Sequence, residues 1–239
     1  MNINFSGKTV LVSGGTGGLG NSVSLAFLEE GAQVMVTYRN PEEYAALKRA
    51  AGANAAALEG SLVDATDEHA SAEFVTDIVA RHGRLDALVN TVGGYVGGVA
   101  LWELETKVFD AMLSLNLRSG YALARAVLPA MLKQRHGSIV NVAAKAAFEH
   151  GAGAAAYAAS KAAAVAMMDS LAADVKGTGV RVNSILPSII DTAVNRRAMP
   201  NANYGSWPKP EEIAKVILFL CSDDAAVVHG AAVPVYGNS

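Results

Sequence analysis

The stretch that decides the fold of this chain is Thr9-Val10-Leu11-Val12-Ser13-Gly14-Gly15-Thr16-Gly17-Gly18-Leu19-Gly20. A short β-branched and apolar run enters a glycine-rich turn, and residues 21–30 then carry apolar side chains at helical spacing. A second apolar run follows at residues 33–36. A glycine-rich turn at a helix N-terminus can hold a phosphate group against backbone N–H groups. The stretch therefore predicts a nucleotide-binding β-α-β unit.

Three glycines of this turn have separate expected roles. Gly14 makes the tight turn, Gly18 lets the backbone approach a pyrophosphate, and Gly20 lets the helix pack close to the strand. Glycine-rich turns often serve backbone geometry alone, but the strand before this turn and the helix after it favour a dinucleotide site. The predicted cofactor loop also contains Ser13, Thr16 and Leu19.

The rest of the chain alternates short apolar runs with helical stretches. Strands are expected at residues 10–12, 34–37, 87–90, 139–142, 181–186 and 233–236, with an additional short strand near 55–58. Strands separated by helices form a parallel sheet with helices on both faces. At 239 residues with half the chain apolar, one large core is feasible. We predict a single α/β domain over residues 1–239, with about seven strands in a doubly wound parallel sheet.

Tyr157 and Lys161 form the second informative pattern, in Tyr157-Ala-Ala-Ser160-Lys161. Residues four apart on a helix lie on one face, so the phenol and the ammonium point to the same neighbour. A phenol has a pKa of about 10, and a nearby positive charge favours the phenolate and makes the group a more useful acid. The alternative is an ordinary amphipathic helix with one aromatic residue and one solvated lysine.

Composition excludes several classes of function. A net charge of −3 leaves no basic stripe for nucleic acid, and the single cysteine, Cys221, excludes an internal disulfide. No apolar run approaches the length of a membrane span, and no signal pattern stands at the N-terminus. We therefore expect a cytoplasmic protein that acts on a small molecule, with neither nucleic acid nor a membrane as partner and with no metal site.

Together these motifs resemble the short-chain dehydrogenase/reductase family over nearly the whole chain. The resemblance rests on the spacing Gly-x-x-x-Gly-x-Gly with Tyr-x-x-x-Lys well downstream. Further matches are Leu62-Val63-Asp64-Ala65, residues 86–93, Ser114-Leu115-Asn116, residues 137–142, and Val182-Asn183-Ser184-Ile185-Leu186-Pro187 leading to Thr192. The resemblance implies a Rossmann-type fold and hydride transfer with a nicotinamide cofactor.

The resemblance also implies roles for individual residues. Tyr157 would be the acid, Lys161 would lower its pKa and hold the ribose, and Asn116 would order water near the lysine. A helix-kinking or capping role for Asn116 remains open. Asp64 would approach the adenine, although it could instead be the N-cap of a helix beginning near residue 68. The other expected cofactor contacts are Ala65, Asn90, Val92, Gly93, Pro187, Ile189, Ile190 and Thr192.

Cofactor choice is indicated by Tyr38 and Arg39 at the end of the second strand. NAD-preferring folds place a carboxylate there for the ribose 2′-hydroxyl, whereas an arginine accommodates the 2′-phosphate. Tyr38 stands where the acid would be, and Arg39 follows it, so NADP(H) is favoured over NAD(H). Arg39 could also be a solvated loop charge.

The family normally has a serine thirteen residues before the tyrosine, and this chain has Ala144 there. A methyl group donates no hydrogen bond. Dihydropteridine reductases of the same family have a small apolar residue at this place, and their local pattern looks like Ala144-Lys145-Ala146-Ala147. Their Gly-Gly-Trp stretch and substrate-side segment resemble the sequence around Tyr95 and Trp207. Tyr95 could stack on a flat pterin ring, or it could be a packing residue.

Three functions follow as alternatives. The first is NADP(H)-dependent reduction of a quinonoid dihydropterin, which needs a proton donor more than a carbonyl-polarising hydroxyl. The second is a carbonyl or quinone reductase that tolerates Ala144, and the third is a non-catalytic NADP(H)-binding redox sensor. We further expect a mobile substrate lid at residues 190–209. The alanine-rich face of residues 158–172 and the family resemblance favour a homodimer or homotetramer.

Overall fold

Seven parallel strands form one sheet in the computed structural model, which describes residues 3–239. The strands are β1 Thr9–Ser13, β2 Gln33–Tyr38, β3 Leu58–Leu62, β4 Ala87–Asn90, β5 Gly137–Val142, β6 Val180–Pro187 and β7 Ala232–Val235. Their order across the sheet is β3-β2-β1-β4-β5-β6-β7, and every neighbouring pair is parallel. The prediction of a doubly wound α/β fold is confirmed.

Helices connect the strands in the order expected for such a sheet. They are α1 Gly20–Glu29, α2 Pro41–Ala50, α3 Glu68–His82, α4 Thr106–Leu113, α5 Ser119–Gln134, α6 Ala155–Asp174, α7 Ala193–Ala198 and α8 Pro210–Cys221. A π-helical turn, Ser114–Arg118, joins α4 to α5. The helix predicted at residues 21–30 is therefore confirmed with its bounds shifted by one residue.

Side chains of the central strand alternate between two cores. Val10 and Val12 pack with α1, α2 and α8 on one face of the sheet, and Leu11 packs with α3, α5 and α6 on the other. All three side chains are fully buried. Burial of each one stabilises the fold by about 1.5–3 kcal/mol. A strand that is buried on both faces has apolar side chains at consecutive positions, which explains the apolar run at residues 10–12.

The strand expected near residues 55–58 is wrong in its bounds. Residues Gly52–Ala57 form a 3₁₀ helix, and β3 begins only at Leu58. Alanine favours helices over strands, so the alanine-rich run continues the helical path of α2. Gly60 within β3 then leaves room for the ring of Tyr44 from α2, which a Cβ atom at this position would overlap.

Backbone contacts in the loop between β1 and α1 explain its glycines. Gly14 has a φ of 70°, in the left-handed region that glycine adopts without strain. A Cβ atom at Gly20 would overlap the carbonyl oxygen of Gly14, and one at Gly15 would overlap the side chain of Val36 in β2. Gly18 faces Thr192, whose Cγ2 would lie 3.0 Å from an added Cβ. The expected roles of Gly14 and Gly20 agree with this geometry, and the close packing of Gly15 is an additional finding.

Gly20→Ala tests the close approach of α1 to β1. The added methyl group would meet the carbonyl of Gly14, which is backbone and cannot rotate away. We expect a loss of about 1–3 kcal/mol in the free energy of unfolding, the usual cost of overpacking, measured by urea denaturation. Gly151→Ala is the control, because nothing lies within 4 Å of its added Cβ. Equal losses in both variants would contradict the packing explanation.

Candidate active site

A cavity of about 440 Å³ lies at the carboxyl ends of β1, β2, β3 and β4. β1 pairs with β2 on one side and with β4 on the other, so the winding of the chain reverses here. Doubly wound folds bind ligands at this reversal. Of the predicted cofactor residues, those lining the cavity are Gly14, Thr16, Tyr38, Arg39, Asp64, Ala65, Val92 and Gly93. The prediction omitted Gly17, Thr37, Asn40, Glu43, Val63, Thr91 and Leu115.

The remaining predicted cofactor residues lie outside the lining of this cavity. Ser13 is buried at the end of β1, and the amide of Asn90 donates to Asn141 Oδ1 at 3.0 Å. Gly18, Leu19 and Gly20 form the loop and the first turn of α1, and Pro187, Ile189, Ile190 and Thr192 lie at and after the end of β6. Their contacts with a cofactor stay predictions.

Two threonines fix the glycine-rich loop to its neighbouring strands. Thr37 Oγ1 in β2 accepts a hydrogen bond from the backbone N–H of Gly14 at 2.9 Å. Thr91, just after β4, donates to the carbonyl of Ser13 at 2.7 Å. These bonds satisfy buried backbone groups at the loop and hold it in one position beside the cavity. In the sequence, both threonines could have been recognised as loop contacts only from their positions at or just after the end of a predicted strand.

Asp64 and Arg39 lie on the rim of the cavity, where both are exposed. Hydrogen bonds from the backbone and side chain of Thr66, at 2.9 and 2.8 Å, lower the pKa of the Asp64 carboxyl, and Arg39 adds a smaller electrostatic effect. The N-cap of α3 is Asp67, whose side chain accepts from two backbone N–H groups. The alternative role of Asp64 as the cap of this helix is therefore wrong, and its carboxylate remains at the cavity.

Tyr38 forms part of the cavity wall. Its ring stacks on that of Tyr44, with the ring centres 4.7 Å apart and the planes at 5°. Tyr38 thus stands at the strand-end position where NAD-preferring folds have a carboxylate, and Tyr44 holds its ring there. Its flat surface lies beside Arg39, so the end of β2 combines an aromatic wall with one positive charge.

Tyr157 and Lys161 lie one turn apart on α6, as predicted. The side chain of Lys161 is buried, and its Nζ donates to the carbonyl of Val142 at 3.0 Å. Burial lowers the pKa of Lys161 to about 8. Burial also raises the pKa of Tyr157 to about 12, with a further contribution from Tyr95. Loss of solvent dominates the pKa of Tyr157 here, and the lowering of this pKa by Lys161 stays a prediction.

Asn116 connects the lysine region to two other segments. Its Oδ1 accepts from the Gly94 N–H at 2.9 Å, and its Nδ2 donates to the Gly94 carbonyl at 3.1 Å and to Ser160 Oγ at 3.0 Å. Ser160 in turn donates to the carbonyl of Tyr157 at 2.7 Å. Asn116 lies in the π-helical turn, which agrees with its helix-kinking role. Its ordering of water stays a prediction, since the amide already has protein partners.

Gly93 lies against both Asn116 and Lys161. A Cβ atom at this position would be 2.9 Å from Asn116 Oδ1 and 3.0 Å from Lys161 Nζ. Because Gly93 also lines the cavity just after β4, it lies between the cavity and the buried side chain of Lys161. The structure thus assembles Gly93, Asn116 and Lys161, which are far apart in the sequence.

The predicted substrate residues have different surroundings. Ala144 is buried just after β5. Tyr95 is 65% exposed, and its ring meets that of Tyr157 edge to face, with the ring centres 4.9 Å apart. Trp207 is only 7% exposed and packs on Tyr204, 5.0 Å between ring centres. Tyr95 therefore lies beside Tyr157, and substrate contacts for Ala144, Tyr95 and Trp207 stay predictions.

The segment expected to be a lid has defined internal contacts. Arg196 in α7 forms two hydrogen bonds with Asp191, at 2.5 and 2.7 Å, and its guanidinium lies 4.8 Å from the centre of the Tyr204 ring. The backbone N–H of Asp191 donates to the carbonyl of Pro208 at 3.0 Å. Thr192 caps α7 by accepting from the Asn195 N–H. Movement of residues 190–209 as a lid stays a prediction.

Residues 3–239 contain no cluster of His, Cys, Asp and Glu side chains that could hold a metal ion. Within the same residues, no helix has both the length and the apolar character to cross a membrane. Cys221 is buried in α8, and burial raises the pKa of its thiol to about 12, so it is a structural residue and a poor nucleophile.

Comparison with known proteins identifies the family. The model of the short chain dehydrogenase family matches residues 8–203, and the chain belongs to this family. It is similar to the 3-oxoacyl-[acyl-carrier-protein] reductase FabG of Thermotoga maritima, with 32% identity over 97% of each chain. It is also similar to the D-threitol dehydrogenase of Mycolicibacterium smegmatis, with 34% identity over 97% of this chain and 92% of the relative.

Solved structures of similar proteins include complexes with either cofactor. ElxO with NADP bound has a TM-score of 0.91 and 26% identity, covering 96% of this chain and 97% of ElxO. An NAD⁺-bound xylitol dehydrogenase has a TM-score of 0.90 and 25% identity, covering 98% of this chain and 99% of the xylitol dehydrogenase. The family is as expected, but these relatives do not support the dihydropteridine reductase subgroup that the sequence around Ala144 suggested.

The buried ammonium of Lys161 gives a testable pH dependence of stability. Its pKa is lower in the folded state than in the unfolded state, so the unfolded chain binds more protons between pH 8 and about 10. The contribution of this group to the free energy of unfolding therefore rises with pH across that window. We expect the wild type to gain about 1–3 kcal/mol relative to Lys161→Met between pH 7.5 and 10. Urea denaturation at several pH values measures this difference.

The control for this experiment is Lys215→Met, at an exposed lysine of α8. Its stability should follow the wild-type curve over the same pH range. The raised pKa values of Tyr157 and Cys221 act in the opposite direction, so neither group can produce the rise in stability with pH that is expected from Lys161. A constant difference between the wild type and Lys161→Met would contradict a lowered lysine pKa.

Proposed function

We propose that this member of the short-chain dehydrogenase family reduces a carbonyl group to an alcohol with a nicotinamide cofactor, with Tyr157 as the proton donor and NADPH as the preferred reductant. The observation that carries the proposal is the position of Gly93, which lines the cavity and lies against Lys161, one helical turn from Tyr157 on α6. The similarity of this chain to the FabG reductase and to D-threitol dehydrogenase supports oxidoreduction between a carbonyl and an alcohol.

The residues around the cavity fit a dinucleotide. Close backbone approach at Gly14 and Gly20 leaves the N-terminus of α1 free to face a pyrophosphate. Asp64 and Ala65 would contact the adenine end, and Lys161 would hold the nicotinamide ribose beyond Gly93. When bound, the cofactor supplies the hydride. The chain supplies its position and keeps the transfer away from bulk water.

Tyr157 holds the proton that reduction requires. With a pKa near 12 the phenol is fully protonated at neutral pH. Lys161, with a pKa near 8, is mainly charged at the same pH. As the phenol gives its proton to the developing alkoxide, the ammonium one turn away stabilises the phenolate that forms. The pair therefore combines a filled proton donor with an electrostatic partner that acts during the transfer.

Arg39 supports the preference for NADPH. Its guanidinium is exposed at the rim of the cavity and can form charge-assisted hydrogen bonds with a 2′-phosphate. The strand-end position that an acid occupies in NAD-preferring folds belongs instead to Tyr38, whose ring is fixed against Tyr44.

Ala144 favours a second candidate substrate, a quinonoid dihydropterin. Its buried methyl group cannot polarise a carbonyl, and a conjugated dihydropterin is already activated for hydride addition. Tyr95, whose exposed ring lies against Tyr157, offers an aromatic surface to a flat substrate. A redox sensor without turnover is the remaining alternative, and the assembled Tyr157, Lys161 and Asn116 argue against it.

Tyr157→Phe tests the proton donor. The variant keeps the ring and its contact with Tyr95 but lacks the hydroxyl, so we expect kcat to fall by about 10²-fold or more with NADPH affinity nearly unchanged. Steady-state turnover and NADPH binding by fluorescence provide the two measurements. Tyr121→Phe, on α5, is the control and should retain full turnover. Undiminished kcat in Tyr157→Phe on every substrate tested would remove this residue from the mechanism.

Ala144→Ser separates the two candidate substrates. A new hydroxyl near the developing oxyanion can contribute up to about 2–4 kcal/mol on a ketone, if the neighbouring packing accepts it. We expect a matching gain in kcat/KM for ketones and little gain for quinonoid dihydropterin. Ala146→Ser, which adds a hydroxyl two residues away, is the control. A wild type that already reduces ketones better than dihydropterin rules out the pterin candidate.

A further inference from the structure

Glu43 is a charged residue of the cavity that the proposed function does not use. It lies in the first turn of α2, and its Oε2 accepts a hydrogen bond from Thr16 Oγ1 at 3.1 Å. Thr16 belongs to the glycine-rich loop, so this contact joins α2 to the predicted phosphate site. Both residues line the same cavity as Arg39.

Helix stability alone does not explain this position of Glu43. An acid in the first turn is favourable because it faces the positive end of the helix dipole. Glu42 already provides such an acid on the same turn, and Asn40 caps the helix by accepting from the Glu42 N–H at 2.9 Å. Only Glu43 lines the cavity, and only Glu43 is bonded to Thr16.

The charges around the cavity have opposite effects on a 2′-phosphate. Among the described lining residues, Arg39 contributes one positive charge, and Asp64 and Glu43 contribute two negative charges, which leaves a net charge of −1. Arg39 attracts the phosphate of NADPH, whereas a carboxylate repels it. A ribose 2′-hydroxyl has no charge and can donate a hydrogen bond to a carboxylate. Glu43 therefore acts against NADPH and leaves NADH unaffected or favoured.

We propose that Glu43 is a selectivity residue of the cofactor site, which offsets Arg39 and allows the protein to use NADH as well as NADPH. This inference rests on the proposed nicotinamide site. Glu43 supplies the carboxylate that the end of β2 lacks, but from the first turn of α2. Because Glu43 is exposed, solvent and salt screen its charge, and its effect on affinity is moderate.

Glu43→Gln tests the proposal by direct binding of each cofactor. The variant removes the charge and keeps the size of the side chain, so Kd for NADPH should fall by about three- to tenfold while Kd for NADH changes by less than about twofold. The quenching of protein fluorescence measures both constants without any turnover. The gain for NADPH should shrink as salt is raised, because it is electrostatic.

Glu42→Gln is the matched control. It removes the same charge from the same helical turn, but Glu42 lies outside the cavity lining. Both Kd values should remain within about twofold of the wild type. Thermal unfolding of Glu42→Gln and Glu43→Gln without cofactor shows whether either change acts through the stability of α2.

The outcomes separate this inference from the proposed function. If the wild type binds neither cofactor, the proposed function fails. If it binds both, and Glu43→Gln leaves the ratio of the two Kd values unchanged or weakens both equally, Glu43 is only a structural contact and the inference is overturned. Arg39→Ala gives an independent reading, since it should weaken NADPH by about tenfold or more and leave NADH nearly unchanged. Equal losses for both cofactors in Arg39→Ala would refute the assigned preference for NADPH and also the offset of Arg39 by Glu43.

Discussion

The space between the loop after β1 and the first turn of α1 is too small for one additional carbon atom. The carbonyl of Gly14 contacts Gly20, and Gly15 lies against Val36, so any side chain at these positions would separate the helix from the sheet. This close approach places the N-terminus of α1 at the reversal of chain winding, between β1 and β4. Thr37 and Thr91 then hold the loop from either side. These contacts hold the loop after β1 and the first turn of α1 together at the edge of the cavity.

The parts of the structure that depend on local pattern were predictable from sequence. The alternation of apolar runs and helical stretches gave the sheet, and the Tyr157–Lys161 spacing gave the pair on α6. The start of β3 was misplaced because no turn residue in the apolar run at residues 55–58 separates the end of the 3₁₀ helix from the strand. Glu43 was overlooked because its direction depends on how α2 lies against the glycine loop, and sequence spacing carries no information about that angle.

Electrostatic environment was the least predictable property. Spacing places an ammonium near a phenol, but the resulting pKa depends on how much water both groups lose in the folded protein. The family subgroup had a similar difficulty. It rested on a few small residues around Ala144, whereas the similarity to FabG and D-threitol dehydrogenase extends over 97% of the chain. A short motif of alanine and glycine is weak evidence for a subgroup, because these residues also recur wherever close packing requires a small side chain.

The hydrogen bonds of Asn116 anchor one segment beside Tyr157, and the segment that follows it is exposed. They join Gly94, the π-helical turn and Ser160 of α6, so the segment that carries Tyr157 is anchored to the end of β4. Immediately beyond this anchor, Tyr95 and Val96 are exposed, and the backbone of Gly98 lies in the left-handed region. Under the proposed function, a substitution of Val96 can change the surface beside Tyr157 without removing the hydrogen bonds of Asn116. Under that proposal, the recognised substrate can change in evolution while the contacts that hold Tyr157 stay the same.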